Sequence, residues 1–123
     1  KYLNLTDVEW RLMHAIWSLG EPTLGQIIKD VADIGWSKQS LISFLKRMEA
    51  KGVVRRDASQ RPSKYRALVK RDEAIRQETD AVINKVYGGD PLLMVTSAVN
   101  SGKLNEDDIK HLIDLLKRGD GDK

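Results

Sequence analysis

The sequence contains no cysteine, only two histidines, and no apolar run near the roughly eighteen residues that a membrane-spanning helix requires. Without cysteine there can be neither disulfides nor thiolate metal sites. His14 and His111 lack the spacing of metal or catalytic motifs, and no glycine-rich phosphate loop follows a predicted strand. We therefore predict no enzymatic activity, no metal and no cofactor. Because no signal-peptide pattern opens the chain, we expect a cytoplasmic protein without membrane insertion.

Positive charge is concentrated in one part of the chain. The stretch from Ser37 to Arg71 holds eleven Lys or Arg residues and two acids, Glu49 and Asp57, whereas the whole protein of 123 residues carries a net charge of only +3. A clustered positive region of this kind is the usual electrostatic footprint of nucleic-acid binding. The function of the protein is therefore expected to lie in this stretch.

The two parts of the chain differ in charge balance. Residues 1–69 sum to +5 and residues 70–123 to −2. A near-neutral partner to a basic region more often makes protein contacts. We therefore predict two domains with different roles, residues 1–70 and residues 71–123.

Two capping boxes mark the starts of the first two predicted helices. In each box, Thr6 with Glu9 and Thr23 with Gln26, a hydroxyl and a side-chain oxygen can pair with free backbone N–H groups. Gly20 is expected to end the first helix. The apolar residues at helical spacing in that helix are expected to face the core: Val8, Leu12, Ala15, Ile16 and Leu19, with Trp10, Met13 and Trp17 as a second packed stripe.

The second helix is predicted to run to about Ala32, and Ser37 is a good N-cap for a third. Three short capped helices in about fifty residues are typical of a helix-turn-helix. In the third helix Leu41, Phe44, Leu45 and Met48 should face the core. The other side then presents polar and basic side chains that can bind base edges: Lys38, Gln39, Ser40, Ser43, Lys46 and Arg47.

A basic hairpin is predicted after the third helix, with strands at residues 53–56 and 64–69. Such a wing normally lies against DNA phosphates or reaches a minor groove. Its expected contacts are Arg55, Arg56, Arg61 and Lys64. The alternative is a solvated polar surface, but a solvated surface usually mixes both signs of charge.

The remainder of the chain is predicted to be helical, so the fold class is mainly α with a small β-wing. Three amphipathic helices in about fifty residues can scarcely enclose their own apolar surface, so we expect a homodimer. The acids Glu106, Asp107 and Asp108 are explained by a helix start rather than by a cation site. The apolar residues expected at the dimer contact are Ile75, Val82, Val86, Leu92, Leu93, Val95, Val99, Ile109, Leu112, Ile113 and Leu116.

Several motifs, taken in order, resemble the penicillinase repressor family (BlaI/MecI). The resemblance covers nearly the whole chain and rests on Trp10-x-x-Met13-x-x-x-Trp17, Trp36-Ser37, Lys51-Gly52, Tyr65 with Leu68-Val69, and Ile83-Asn84-Lys85-Val86-Tyr87. It implies a winged helix-turn-helix DNA-binding domain followed by a helical dimerisation domain. It also implies a dimer that represses transcription from a palindromic double-stranded DNA operator, as in β-lactam resistance or a related stress regulon. In the best-known systems of the family, a membrane sensor protease cleaves the repressor in its C-terminal domain and so relieves repression, which makes such a protease an expected partner.

Two positions depart from the family pattern. The family's Asn-Phe cleavage dyad falls at Ser97 and Ala98, so the scissile sequence is missing. Ile42 stands where staphylococcal members carry a basic residue, so a different operator sequence is expected. The absence of cysteine also excludes the thiolate copper sensing of one branch of the family. Two alternatives stay open: a winged helix that binds another protein, and a repressor released by a small ligand instead of proteolysis.

Overall fold

A computed structural model describes residues 3–121. The chain forms two compact units, the first ending at Thr79 and the second beginning at Asp80. The boundary falls inside one continuous helix, which begins at Arg71. The predicted division at residue 70 concerns independent folding and separate function, and it stays a prediction.

The first unit begins with three helices whose starts follow the predicted caps. They are α1 (Asp7–Leu19), α2 (Leu24–Asp30) and α3 (Lys38–Ala50). Thr6 and Thr23 both complete their capping boxes, and the Ser37 side chain accepts a hydrogen bond from the Ser40 N–H. The capping prediction is therefore confirmed at all three starts.

The end of α2 differs from the prediction. The helix stops at Asp30, and a 3-10 turn (Ala32–Ile34) follows before Gly35, whose φ of +75° is in the left-handed region. Arg11 of α1 explains the shortened helix, because its guanidinium donates to the Asp30 carbonyl at 2.8 Å and to the Asp33 carboxylate at 2.8 Å. This anchor draws the turn against α1.

A two-stranded antiparallel sheet forms the wing. Strand β1 (Val54–Asp57) pairs with β2 (Lys64–Ala67), and every strand end lies within two residues of its predicted position. The outer edge of β2 also pairs with the segment before α2, through the Tyr65 N–H and the Pro22 carbonyl at 2.8 Å. The fold of the first unit is therefore a winged helix, as predicted.

The core of the first unit lies between its three helices and the inner face of the wing. The predicted residues Phe44 and Val8 are only partly buried, and Leu19, the last residue of α1, is exposed. Met13 of the second predicted stripe is fully buried, with Trp17 packed at the margin. The core consists of Leu12, Met13, Ala15, Ile16, Ile27, Val31, Leu41, Leu45, Met48, Val53, Val54 and Tyr65.

Helix α4 (Arg71–Val86) closes the first unit and opens the second. The Trp17 indole N–H donates to the Val69 carbonyl at 3.0 Å, which fixes the chain just before α4, and Ala74 is fully buried. The second unit continues with α5 (Pro91–Asn100) and α6 (Glu106–Gly121). Asp90 caps α5, since its carboxylate accepts from the Leu92 N–H at 3.0 Å.

Candidate nucleic-acid interface

Helix α3 separates its apolar and polar residues onto opposite sides. Leu41, Leu45 and Met48 are buried, so the side facing away from them is directed to solvent. Residues three and four apart share a helix face, so the residues on this outward side also recur at intervals of three and four. Four of the predicted DNA-binding residues are exposed there: Gln39, Ser43, Lys46 and Arg47. We call these four the reading face. Lys38 is also exposed, but it lies in the first turn, three residues before Leu41 and on the side of the buried residues.

Ser40 differs from its neighbours on α3. It is half-buried, and its hydroxyl oxygen accepts from the Ser37 hydroxyl at 3.1 Å. The hydroxyl is therefore tied to the helix N-cap. Its role in DNA contact stays a prediction.

A groove of about 500 Å³ runs between α3 and the wing. Ile42, Lys46 and Glu49 line it on the helix side, and Arg56 and Tyr65 line it on the wing side. Glu49, one of the two acids of the basic stretch, therefore lies at this margin instead of on the reading face. Burial raises the pKa of the Tyr65 hydroxyl, and the Glu49 charge raises it further.

The strand register assigns the wing arginines to two faces. Arg55 lies opposite Arg66, and Arg56 lies opposite Tyr65. Directly opposed residues share a face and successive residues alternate. Arg56 is therefore on the face of buried Tyr65, beside the groove, whereas Arg55 and Arg66 form a like-charge pair on the outer face.

Arg66 was not among the predicted DNA-binding residues. The signal that identifies it is the pairing register, because alternation within a single strand does not show which arginines meet across the sheet. Like charges directly opposite each other are unfavourable unless an anion or solvent screens them. Arg66 therefore adds a second positive charge at the position of Arg55.

The two remaining predicted wing residues differ in exposure. Arg61 is exposed in the turn between the strands, and Lys64 is half-buried where β2 bridges to Thr23. Asp57 organises the turn, since its carboxylate accepts from the Ser59 hydroxyl, the Ser59 N–H and the Gln60 amide. These bonds lower the pKa of Asp57 to about 2. The acid is thus used to shape the wing.

An aromatic pair flanks the reading face. The Trp36 ring meets the Phe44 ring edge-to-face, with centroids 5.1 Å apart and planes at 83°. The guanidinium carbon of Arg47 lies 5.3 Å from the Phe44 centroid, within range of a cation–π contact. This arrangement was not predicted, since Phe44 was expected to be a core residue.

An ion pair between a buried carboxylate and a partly exposed ammonium joins the end of α3 to the start of α1. The Lys51 ammonium donates to the Glu9 carboxylate at 2.6 Å and to the Asn4 carbonyl at 2.9 Å. Glu9 is fully buried, and it also accepts from the Thr6 N–H. Burial raises the pKa of Glu9, but the hydrogen bonds from Lys51 and Thr6 outweigh it and hold the pKa below its ordinary value. Helix α3 is therefore fixed at its C-terminal end.

The predicted dimer residues of the second unit lie largely at the surface. Between residues 80 and 119 no residue is fully buried. Leu92 is 70% exposed and Leu116 is 71% exposed. Val82 and Leu112 are half-buried, and Ile75 lies in the first unit, also half-buried. The others are exposed: Val86, Leu93, Val95, Val99, Ile109 and Ile113.

The residues at the family's cleavage position lie in α5. Ser97 and Ala98 are exposed, and their carbonyls accept from the N–H and the hydroxyl of Ser101. The peptide bond between them is therefore part of a hydrogen-bonded helix.

From residue 3 to residue 121, the His, Asp and Glu side chains form no cluster of three or more that could hold a metal ion. Within the same range, no helix combines the length and apolarity that a bilayer span requires.

Comparison with known proteins gives a consistent result. A family described as penicillinase repressor matches residues 5–118. The methicillin resistance regulatory protein MecI of Staphylococcus aureus strain N315 is 25% identical over 119 residues, covering 96% of this chain and 97% of that protein. The penicillinase repressor of Staphylococcus aureus is 24% identical over 117 residues, covering 94% and 93%. An uncharacterized 16.5 kDa protein of Latilactobacillus sakei is 24% identical over 118 residues, covering 92% and 78%.

Proposed function

The chain belongs to the penicillinase repressor family, and we propose that it represses transcription as a homodimer bound to a palindromic DNA operator. The family consists of transcriptional repressors and not enzymes, and the relatives named as regulators match along nearly their whole lengths. The observation that carries the proposal is the reading face, which exposes four polar or basic side chains and no acid on the outward side of α3.

The reading face has the donors and acceptors that major-groove recognition uses. Gln39 can bond adenine bidentately, Ser43 can bond either a base or a phosphate, and Arg47 can bond guanine. Lys46 and Arg56 line the groove together with the single acid Glu49, so its net charge is positive and would attract a phosphate. Helix α3 would therefore specify sequence while the wing holds the backbone.

The second unit supports a dimer through its exposed apolar surface. Helix α5 carries Leu92, Leu93, Val95 and Val99 around much of its circumference, and each of these side chains is at least 43% exposed. Burying apolar surface contributes about 25 cal/mol per Å², so leaving these side chains in water is costly. A second copy of the same helices would cover them symmetrically. Two reading faces related by a twofold axis then match a palindrome.

The regulated genes are proposed from the relatives' names. MecI is named a methicillin resistance regulator and its staphylococcal relative a penicillinase repressor, which favours a β-lactam-resistance or related stress regulon. A membrane sensor protease as partner receives less support, because Ser97 and Ala98 replace the expected dyad. Release by a small ligand is the alternative within the same function. The proposal includes a cytoplasmic location, where the operator DNA would be.

The test is selection of genomic DNA fragments by the purified full chain, with sedimentation of the same sample. Enrichment of a palindrome, bound by a species of twice the chain mass, is the expected result. Binding should weaken steeply with salt, by roughly 0.9 log units in affinity per log unit of salt for each phosphate contacted. A Lys46→Ala variant should lose affinity, whereas Lys110→Ala in α6 should not. A monomeric chain, or a salt-independent one without enrichment, would favour a protein-interaction module instead.

A further inference from the structure

Three side chains at the margin of the reading face form a continuous chain of contacts. Trp36 precedes the N-cap of α3, Phe44 lies two turns further along the helix, and Arg47 follows it by one turn. The centroid distance of 5.1 Å and the guanidinium distance of 5.3 Å join all three. Trp36 is 46% exposed, so its ring covers the side of α3 more than it fills the core.

These contacts hold the Arg47 side chain without neutralising its positive charge. Among the ion pairs of residues 3–121, none includes Arg47. A cation–π contact occupies no N–H group in a hydrogen bond, so the N–H groups of the guanidinium that point away from the ring stay available for bidentate bonds. A long side chain that is already ordered also loses less rotamer freedom when it binds.

We propose that Phe44 and Trp36 are positioning residues, which orient the Arg47 guanidinium so that its N–H edge meets DNA. This inference rests on the proposed function. Phe44 would support the plane of the guanidinium, and the edge-on Trp36 ring would keep Phe44 from turning away from α3. Of these three side chains only Arg47 would contact the nucleic acid, so the two rings act only through it.

A double-mutant cycle on the full-length protein tests the inference, with the strongest fragment from the genomic selection as probe. Phe44→Leu should weaken binding about two- to fivefold, the contribution expected of an exposed cation–π contact. In an Arg47→Ala background the same substitution should change nothing, since the group it positions is gone. Phe44→Tyr keeps the ring and should restore wild-type binding.

Two controls separate positioning from loss of structure. Melting temperature and sedimentation of each variant should match the wild type. If Phe44→Leu is destabilised, Trp36→Leu removes the more exposed ring and should show the same dependence on Arg47.

The outcomes distinguish the inference from the proposed function. Equal losses from Phe44→Leu with and without Arg47 would overturn positioning while leaving DNA binding intact. If Arg47→Ala binds as well as the wild type, Arg47 is not a contact and the inference fails on that ground. If no variant, nor the wild type, prefers any DNA, the proposed function itself is wrong.

Discussion

At the scale of single residues, the Glu9–Lys51 pair is a long-range contact whose loss should lower stability. Lys51→Met would leave the Glu9 carboxylate fully buried without its cation. An uncompensated buried charge costs roughly 1 to 3 kcal/mol or more, so the free energy of unfolding should fall by about that amount. Urea denaturation measures the change. Lys29→Met, at an exposed position of α2, is the matched control and should differ little from the wild type. Equal stability of the two variants would contradict the assignment.

The same pair makes a prediction about pH. Because the folded protein holds the pKa of Glu9 below its ordinary value of 4.5, ionised Glu9 stabilises the fold above that pH. This stabilisation is lost as the pH falls through the lowered folded-state pKa. Wild-type unfolding free energy should therefore drop on acidification below about pH 4.5. In Glu9→Gln the drop should be smaller, because Glu9 no longer titrates. Some drop should remain, since Asp33 and Asp57 still contribute. Identical pH profiles for the two proteins would be inconsistent with a stabilising charged pair.

At the scale of elements, the wing depends on one carboxylate. Asp57→Ala would remove the bonds to Ser59 and Gln60 that shape the turn. Local opening of the hairpin should increase, and amide exchange at Ser59 should accelerate, while global stability changes by about 1 kcal/mol or less. Hydrogen exchange followed by NMR reads this directly. Since the pKa of Asp57 is about 2, this carboxylate stays ionised from pH 4 to pH 7. The protection of the wild-type wing amides, relative to their intrinsic exchange rates, should therefore stay the same over this range. Unchanged Ser59 exchange in the variant would show that the turn holds without the acid.

The elements also show which features a sequence can predict. Helix starts followed from local chemistry, because the partners in a capping box lie three residues apart. The Glu9–Lys51 pair joins residues 42 positions apart, and no local pattern indicates it. The early end of α2 depends on Arg11, 19 residues before Asp30. The two faces of the wing depend on register, which turn length and packing decide together. The exposed side of α3 was predictable, whereas the contacts among Trp36, Phe44 and Arg47 could be identified only from the folded structure.

At the scale of the whole molecule, the exposed apolar surface of the second unit should decide the oligomeric state. In α6, Ile109, Ile113 and Leu116 follow at intervals of four and three, so they share one face. Ile113→Asp would place a charge in the middle of that face. If a second copy covers it, burial of an unpaired carboxylate should weaken the dimer by several kcal/mol, enough to give monomers at micromolar concentration.

Sedimentation equilibrium over a range of concentrations measures this dimer constant. His111→Asp is the matched control, since it introduces the same charge about half a turn around α6 on an exposed side chain. That variant should stay dimeric. The Ile113→Asp monomer should also bind a full palindrome far more weakly than the wild type and a single half-site about equally, because only the coupling between half-sites is lost. If both variants sediment as the wild type does, α6 lies outside the contact between copies, and α5 would have to supply it.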